Sequence, residues 1–123
     1  MKNKSIWIVA GAVLVAGMVW LIMAPEKSGK LDSFASCLAE KGATFYGAFW
    51  CPHCQNQKAL FGNSARLLSY VECSTPDGKN QLPVCIEAKI NGYPTWEFAD
   101  GSRESGEVSL ERLAEKTFCV LPQ

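Results

Sequence analysis

The sequence predicts an α/β fold, one mixed β-sheet with helices packed on it, preceded by a single membrane-spanning helix. Three observations carry this expectation. Residues 6–24 are an uncharged apolar run. From residue 31 onward, short strand-like stretches alternate with helical ones, the pattern of a layered sheet with helices on its faces. Asp100-Gly101 between two short alternating runs is a hairpin signal that closes the series.

The apolar run, IWIVAGAVLVAGMVWLIMA, has nineteen residues and no proline. At about 1.5 Å per residue it makes a helix of roughly 28 Å, the hydrocarbon thickness of a bilayer. Trp7 and Trp20 lie near its ends, where amphipathic rings favour the interface. A cleaved signal peptide is the competing expectation. Its apolar region is shorter and ends in a small-x-small site, where this chain has Ile22-Met23-Ala24. Lysines flank the run almost equally, Lys2 and Lys4 before it, Lys27 and Lys30 after it. Orientation therefore rests on the cysteines. All six follow the run, and so many in a short chain suit an oxidising compartment. The expected arrangement is residues 1–24 as anchor with a cytoplasmic N-terminus, 25–30 as linker, and 31–123 as a domain in the periplasm or a thylakoid lumen.

Within that domain, LDSFASCLAEKG predicts a helix capped by Asp32 or Ser33, with Phe34, Cys37 and Leu38 on one face and Gly42 at its end. ATFYGAFW, residues 43–50, predicts a buried strand. Pro52 suits the first turn of a helix running to about residue 68, interrupted near Gly62-Asn63. A strand over 68–73, a loop, a helix over 80–90 and a strand over 95–99 follow. After the hairpin turn comes a partner strand over 103–107. Ser109 caps a last helix whose Leu110, Leu113, Ala114 and Phe118 follow helical spacing. The 123 residues suit one small domain, and twelve basic against twelve acidic side chains leave no net charge. Nothing in that balance points to nucleic acid.

The chemistry concentrates in FWCPHC, residues 49–54. Cys51 stands where a strand turns into a helix, so unpaired N–H groups and the positive dipole end face its sulfur and favour a thiolate. Cys54, three residues on, shares the helical face and can resolve a mixed disulfide. His53 adds a polarisable or cationic group; that would stabilise the reduced form further and make the pair oxidising. The bland alternative for His53 is a solvated polar residue. A structural zinc site needs four ligands, often as two close pairs, and Cys73 and Cys85 are not close. Covalent haem wants C-x-x-C-H, but Gln55 follows Cys54. The expectation is a redox-active disulfide with no metal and no other cofactor.

With a strand, W-C-x-x-C, a helix and a later G-Y-P-T before a hairpin, the chain from about residue 31 resembles the thioredoxin superfamily. YGAFWCPHCQNQKALFG, YVEC and INGYPTWEF look like the thioredoxin-like domain fused to bacterial and plant homologues of vitamin K epoxide reductase. The C-P-H-C motif is similar to that of the DsbA family of periplasmic disulfide oxidases. The resemblance implies Cys51 as nucleophile and Cys54 as resolving thiol, with Pro52 and His53 tuning them. It implies a cis Pro94 packed on the pair, and a substrate-binding surface of Trp50, Tyr93, Pro94 and Thr95 that takes an extended segment as an added strand. A quinone-linked membrane partner would reoxidise the pair. The four other cysteines allow three pairings. The related domain's ECS…C spacing implies Cys73–Cys85 as a structural bridge, which leaves Cys37–Cys119 as the second; the rival expectation is that one of these pairs relays electrons. The buried acid that many thioredoxins carry six residues before the first cysteine is here Phe45. Glu72 is a candidate replacement, or simply a solvated glutamate. Exported proteins with free thiols are the expected substrates of a membrane-anchored disulfide-forming oxidase. The alternatives are a reductase or isomerase, for example one serving cytochrome c maturation, and a non-catalytic binding module.

Overall fold

A computed structural model describes residues 2–25 and 27–123. Helix α1, Lys2–Met23, contains over Asn3–Met23 a stretch long and apolar enough to cross a membrane. Its Trp7, Leu14 and Trp20 are exposed, and with no polar face the helix has no soluble core to join.

The remaining elements are α2 (Asp32–Glu40), β1 (Thr44–Gly47), α3 (Pro52–Phe61), a 3₁₀ segment (Gly62–Leu67), β2 (Ser69–Glu72), α4 (Pro83–Glu87), β3 (Thr95–Glu97), β4 (Arg103–Ser105) and α5 (Leu110–Thr117). The sheet order is β2-β1-β3-β4. Strand β1 runs parallel to β2, with Phe45 opposite Tyr70, and antiparallel to β3, with Phe45 opposite Trp96. Strand β4 pairs antiparallel with β3. The mixed α/β fold expected from the sequence is the one observed.

Phe34 and Leu38 of α2, Phe45 of β1, Trp96 of β3, Phe61 of α3 and Leu113 of α5 meet in one core. Each such side chain contributes about 1.5–3 kcal/mol when fully buried. Phe45 and Trp96 stack with ring centroids 5.0 Å apart. The stack leaves the buried Trp96 indole N–H without an acceptor among the described residues. Two disulfides close the fold. Cys37–Cys119 joins α2 to the segment after α5, and Cys73–Cys85 joins the end of β2 to α4.

Local geometry departs from the sequence expectations in four places. Neither Asp32 nor Ser33 caps α2: Leu31 occupies the N-cap, where its alkyl side chain offers no acceptor, and its own N–H donates to Ser64 Oγ at 3.0 Å. Asp32 instead receives both arms of Arg66, each at 2.8 Å, which holds its carboxyl well below the usual carboxylate range. Strand β1 stops at Gly47 rather than running to Trp50, since residues 48–51 turn with a Cys51 N–H to Ala48 carbonyl bond of 3.1 Å. Phe49 and Trp50 are consequently half exposed. Helix α4 is shorter than expected because residues 74 and 81 form a bridge that holds the chain extended up to Pro83. Finally, Phe118 takes a left-handed conformation with φ 59° and is 90% exposed. The helix ends at Thr117, whose hydroxyl donates to the Leu113 carbonyl at 2.7 Å, and the turn throws the next side chain out of the apolar face.

Candidate active site

The site is built where β1 hands the chain to α3. Cys51 is the N-cap of α3 and Pro52 its first residue; a ring that fixes φ and lacks an N–H loses nothing there. The Cys51 carbonyl accepts the first helical bond from Gln55 N–H at 3.1 Å. Its side chain accepts the Cys54 N–H at 3.4 Å, in the manner of a capping oxygen. One of the orphan donors of the helix start is thus aimed at sulfur.

Residues 49 and 50 are held from three sides. The Phe49 N–H donates to Glu72 Oε1 at 3.2 Å, and the Phe49 carbonyl accepts from Gln55 Nε2 at 2.9 Å. Trp50 Nε1 donates to Ser74 Oγ at 2.9 Å, and its ring meets Tyr93 edge-on with centroids 6.0 Å apart. Tyr93 in turn accepts at its hydroxyl from Gln81 Nε2, 2.9 Å away. The Tyr93–Pro94 peptide is cis. The Tyr93 carbonyl accepts from the Cys51 thiol at 3.8 Å, so the segment 93–94 lies directly across from the first cysteine. Pro94 is fully buried and Thr95 nearly so. Thr95 turns its hydroxyl to the Gly92 carbonyl at 2.7 Å, which ties the loop rather than presenting a polar group to a ligand.

The two thiols are unlike. Cys51 retains 5% of its surface and Cys54 1%. Burial, aided by the hydrogen bond with Cys51, pushes the Cys54 thiol up to about 12. The same cause, with the hydrogen bond to Glu72, raises the neighbouring Tyr70 phenol. His53 lies apart from this pair of buried groups: its side chain is 69% exposed, with Nδ1 3.7 Å from Glu107 Oε2.

Two residues that the sequence analysis passed over shape the site. Gln57 is completely buried. It donates from Nε2 to the Val108 carbonyl at 2.9 Å and accepts the Val108 N–H at 2.7 Å, clamping α3 to the segment after β4. Its signal was a polar residue on the same helical face as Cys54 and Phe61. Gly47 is the second, and its signal was an isolated glycine in a strand, a mark of close approach. A Cβ there would meet Cys54 Sγ at 3.1 Å. Glu72 is partly buried. It accepts from Phe49 N–H, from Ser74 N–H at 2.9 Å and from the Tyr70 hydroxyl at 2.7 Å, and so braces the loop before Cys51. Among the described residues, no three His, Cys, Asp or Glu side chains converge as metal ligands.

A buried dithiol at a strand-to-helix junction, faced by a cis-proline loop, sits on a β2-β1-β3-β4 sheet. Over 107 residues, 80% of its length, the chain is 44% identical to thiol-disulfide oxidoreductase LTO1 of Arabidopsis thaliana, covering 28% of that protein. The fold is thioredoxin-like. A second relative, the thioredoxin domain-containing protein 5 homolog of Drosophila melanogaster, is 29% identical over 106 residues, 74% of this chain and 24% of the relative. The chain thus spans about a quarter of the length of these curated relatives. No family model matches it.

Proposed function

We propose that this chain is a membrane-anchored thiol–disulfide oxidoreductase working as an oxidase on exported proteins. The observation that carries the exchange chemistry is the arrangement at the head of α3: Cys51 as N-cap facing the Tyr93 carbonyl, with Cys54 buried behind it. In the oxidised pair, a substrate thiolate attacks Cys51 Sγ. The Cys51–Cys54 bond breaks, its electron pair passes to Cys54, and a mixed disulfide remains on Cys51. A second substrate thiolate then attacks the substrate sulfur, which releases a substrate disulfide and leaves both cysteines reduced. Trp50 and Tyr93 flank the attacked sulfur and offer aromatic surface and main-chain groups to an extended segment.

The name of the Arabidopsis relative supports the reaction class, and the C-P-H-C motif supports the oxidising direction. An apolar α1 followed by two disulfides supports an anchor with the domain on the oxidising side, a periplasm or a lumen. The resemblance to domains fused to vitamin K epoxide reductase homologues supports a quinone-linked membrane partner that takes the two electrons from the reduced pair. Equilibrating the full chain in glutathione buffers and trapping Cys51 and Cys54 tests the direction. A potential well above that of thioredoxin, about −270 mV, is expected. A value at or below it would assign the chain to reduction.

A further inference from the structure

We propose that Lys58 is the proton carrier of the redox pair and serves Cys54 from the side opposite the substrate. This rests on the exchange reading above. Cys54 and Lys58 are four residues apart on α3 and so share a face. Opposite that face, a Cβ on Gly47 would lie 3.1 Å from Cys54 Sγ, 3.0 Å from Tyr70 Cε2 and 3.4 Å from Phe45 Cε2. The glycine therefore lets the buried sulfur and the Tyr70 ring close over the same point of β1. Lys58 Nζ sits 3.4 Å above the centroid of that ring. On its outer side is an open cavity of about 440 Å³ lined by Lys58, Ala65, Arg66, Leu68 and Tyr70. The ammonium thus rests on the ring that packs toward the buried sulfur and borders a cavity open to solvent.

The geometry of the front face makes a rear route necessary. Cys51 looks onto Tyr93 and Trp50, and a substrate joined to Cys51 covers that side. When the substrate thiolate attacks Cys51, Cys54 receives the electron pair of the broken S–S bond and becomes a buried thiolate. Burial drives the Cys54 thiol to about 12, while the charge of Lys58 acts in the opposite sense, so the departing sulfur is both strongly basic and attracted to this ammonium. Once the Lys58 side chain swings from the Tyr70 ring to within hydrogen-bond reach of the thiolate, one proton passes from Nζ to Cys54 Sγ, leaving a thiol and a neutral amine, and solvent in the cavity returns a proton to the amine. No other group there fills the role. Glu72 is committed to three donors and Tyr70 donates its hydroxyl to it. Arg66 is held on Asp32, and Phe45, Gly47 and Trp96 do not titrate. The front holds Cys51 itself and His53, which is turned out toward Glu107.

The test uses the oxidised full chain in detergent micelles with glutathione as the attacking thiol. Lys58→Ala is expected to slow exchange at least tenfold at neutral pH, within the usual reach of a lost general acid. The deficit should shrink as the pH is lowered and hydronium replaces the side chain. Millimolar ethylammonium, small enough for the vacated cavity, is expected to recover much of the lost rate, and Lys58→Arg is expected to recover little. A Lys58→Ala rate within twofold of the parent overturns the assignment. So does full recovery in Lys58→Arg without ethylammonium rescue, which would make the charge sufficient. If the parent chain itself fails to exchange with glutathione, the oxidoreductase reading falls, and this one with it.

Discussion

Cys51 and Cys85 both stand at the head of a helix whose first residue is proline, Pro52 in α3 and Pro83 in α4, yet their sulfurs have opposite fates. Cys51 precedes its proline. As N-cap it points its sulfur along the helix start, where the Cys54 N–H reaches it. Cys85 follows its proline by two. Its sulfur leaves the flank of the helix, enters a small cluster with Ile90 and is bonded to Cys73. A shift of three positions relative to the same proline separates a presented sulfur from a packed one. The helix over residues 80–90 expected from the sequence would put Cys85 in mid-helix and leave Cys51 alone at a helix start. The structure shows that the offset from the start, not the start itself, separates the two.

That contrast can be broken at several points. Cys51→Ser should lower exchange by on the order of a thousandfold or more, since the nucleophilic thiolate is gone, and Cys54→Ser should accumulate mixed disulfides on a non-reducing gel. Removing either structural bridge should act on stability instead. Urea denaturation of Cys37→Ala/Cys119→Ala is expected to show a loss of about 4.5 kcal/mol, and of Cys73→Ala/Cys85→Ala about 3 kcal/mol, as loop length predicts. Both should keep exchange within a few-fold of the parent. Abolished exchange in the second double variant would make that pair a relay and erase the distinction drawn above. Gly47→Ala should cost about 2 kcal/mol, the range for overfilling a packed site, because Tyr70 and Cys54 both crowd the added methyl. Ser74→Ala should have the smallest effect. It frees the Trp50 indole, costs about 1 kcal/mol, and should raise KM for a peptide thiol while leaving kcat near the parent value.

The fold was legible because its signals are local: hydrophobic period, helix punctuation and the Asp100-Gly101 turn act over a few residues each. The redox motif was legible for the same reason, two cysteines and a proline within four positions. What escaped depended on partners distant in sequence. The reach of Gln57 to Val108 spans 51 positions, and only the packing of α3 on the sheet brings them together. Glu72 could not be read from sequence, since the donor that makes it a brace for the loop before Cys51 is the Phe49 N–H, 23 positions away. Phe118 misled because helical spacing continued one residue past the helix. The spacing could not reveal that the chain turns left-handed at that residue, just before Cys119 joins α2.

One close approach bears on how far the redox pair can travel. A Cβ on Gly29 would lie 2.6 Å from the Ser64 backbone N and 2.1 Å from Ser64 Oγ, so the stem is already seated on the domain at residue 29, beside the end of α3 at Phe61 and Gly62. Cys51 lies at the opposite end of that ten-residue helix, about 15 Å along its axis. Only residues 24–28 separate α1 from the seat, a tether of roughly 17 Å at full stretch. With α1 in a bilayer, the thiols sweep a layer only a few nanometres deep. A partner embedded in the same membrane then meets them by a search in two dimensions, at an effective concentration no freely diffusing domain would reach.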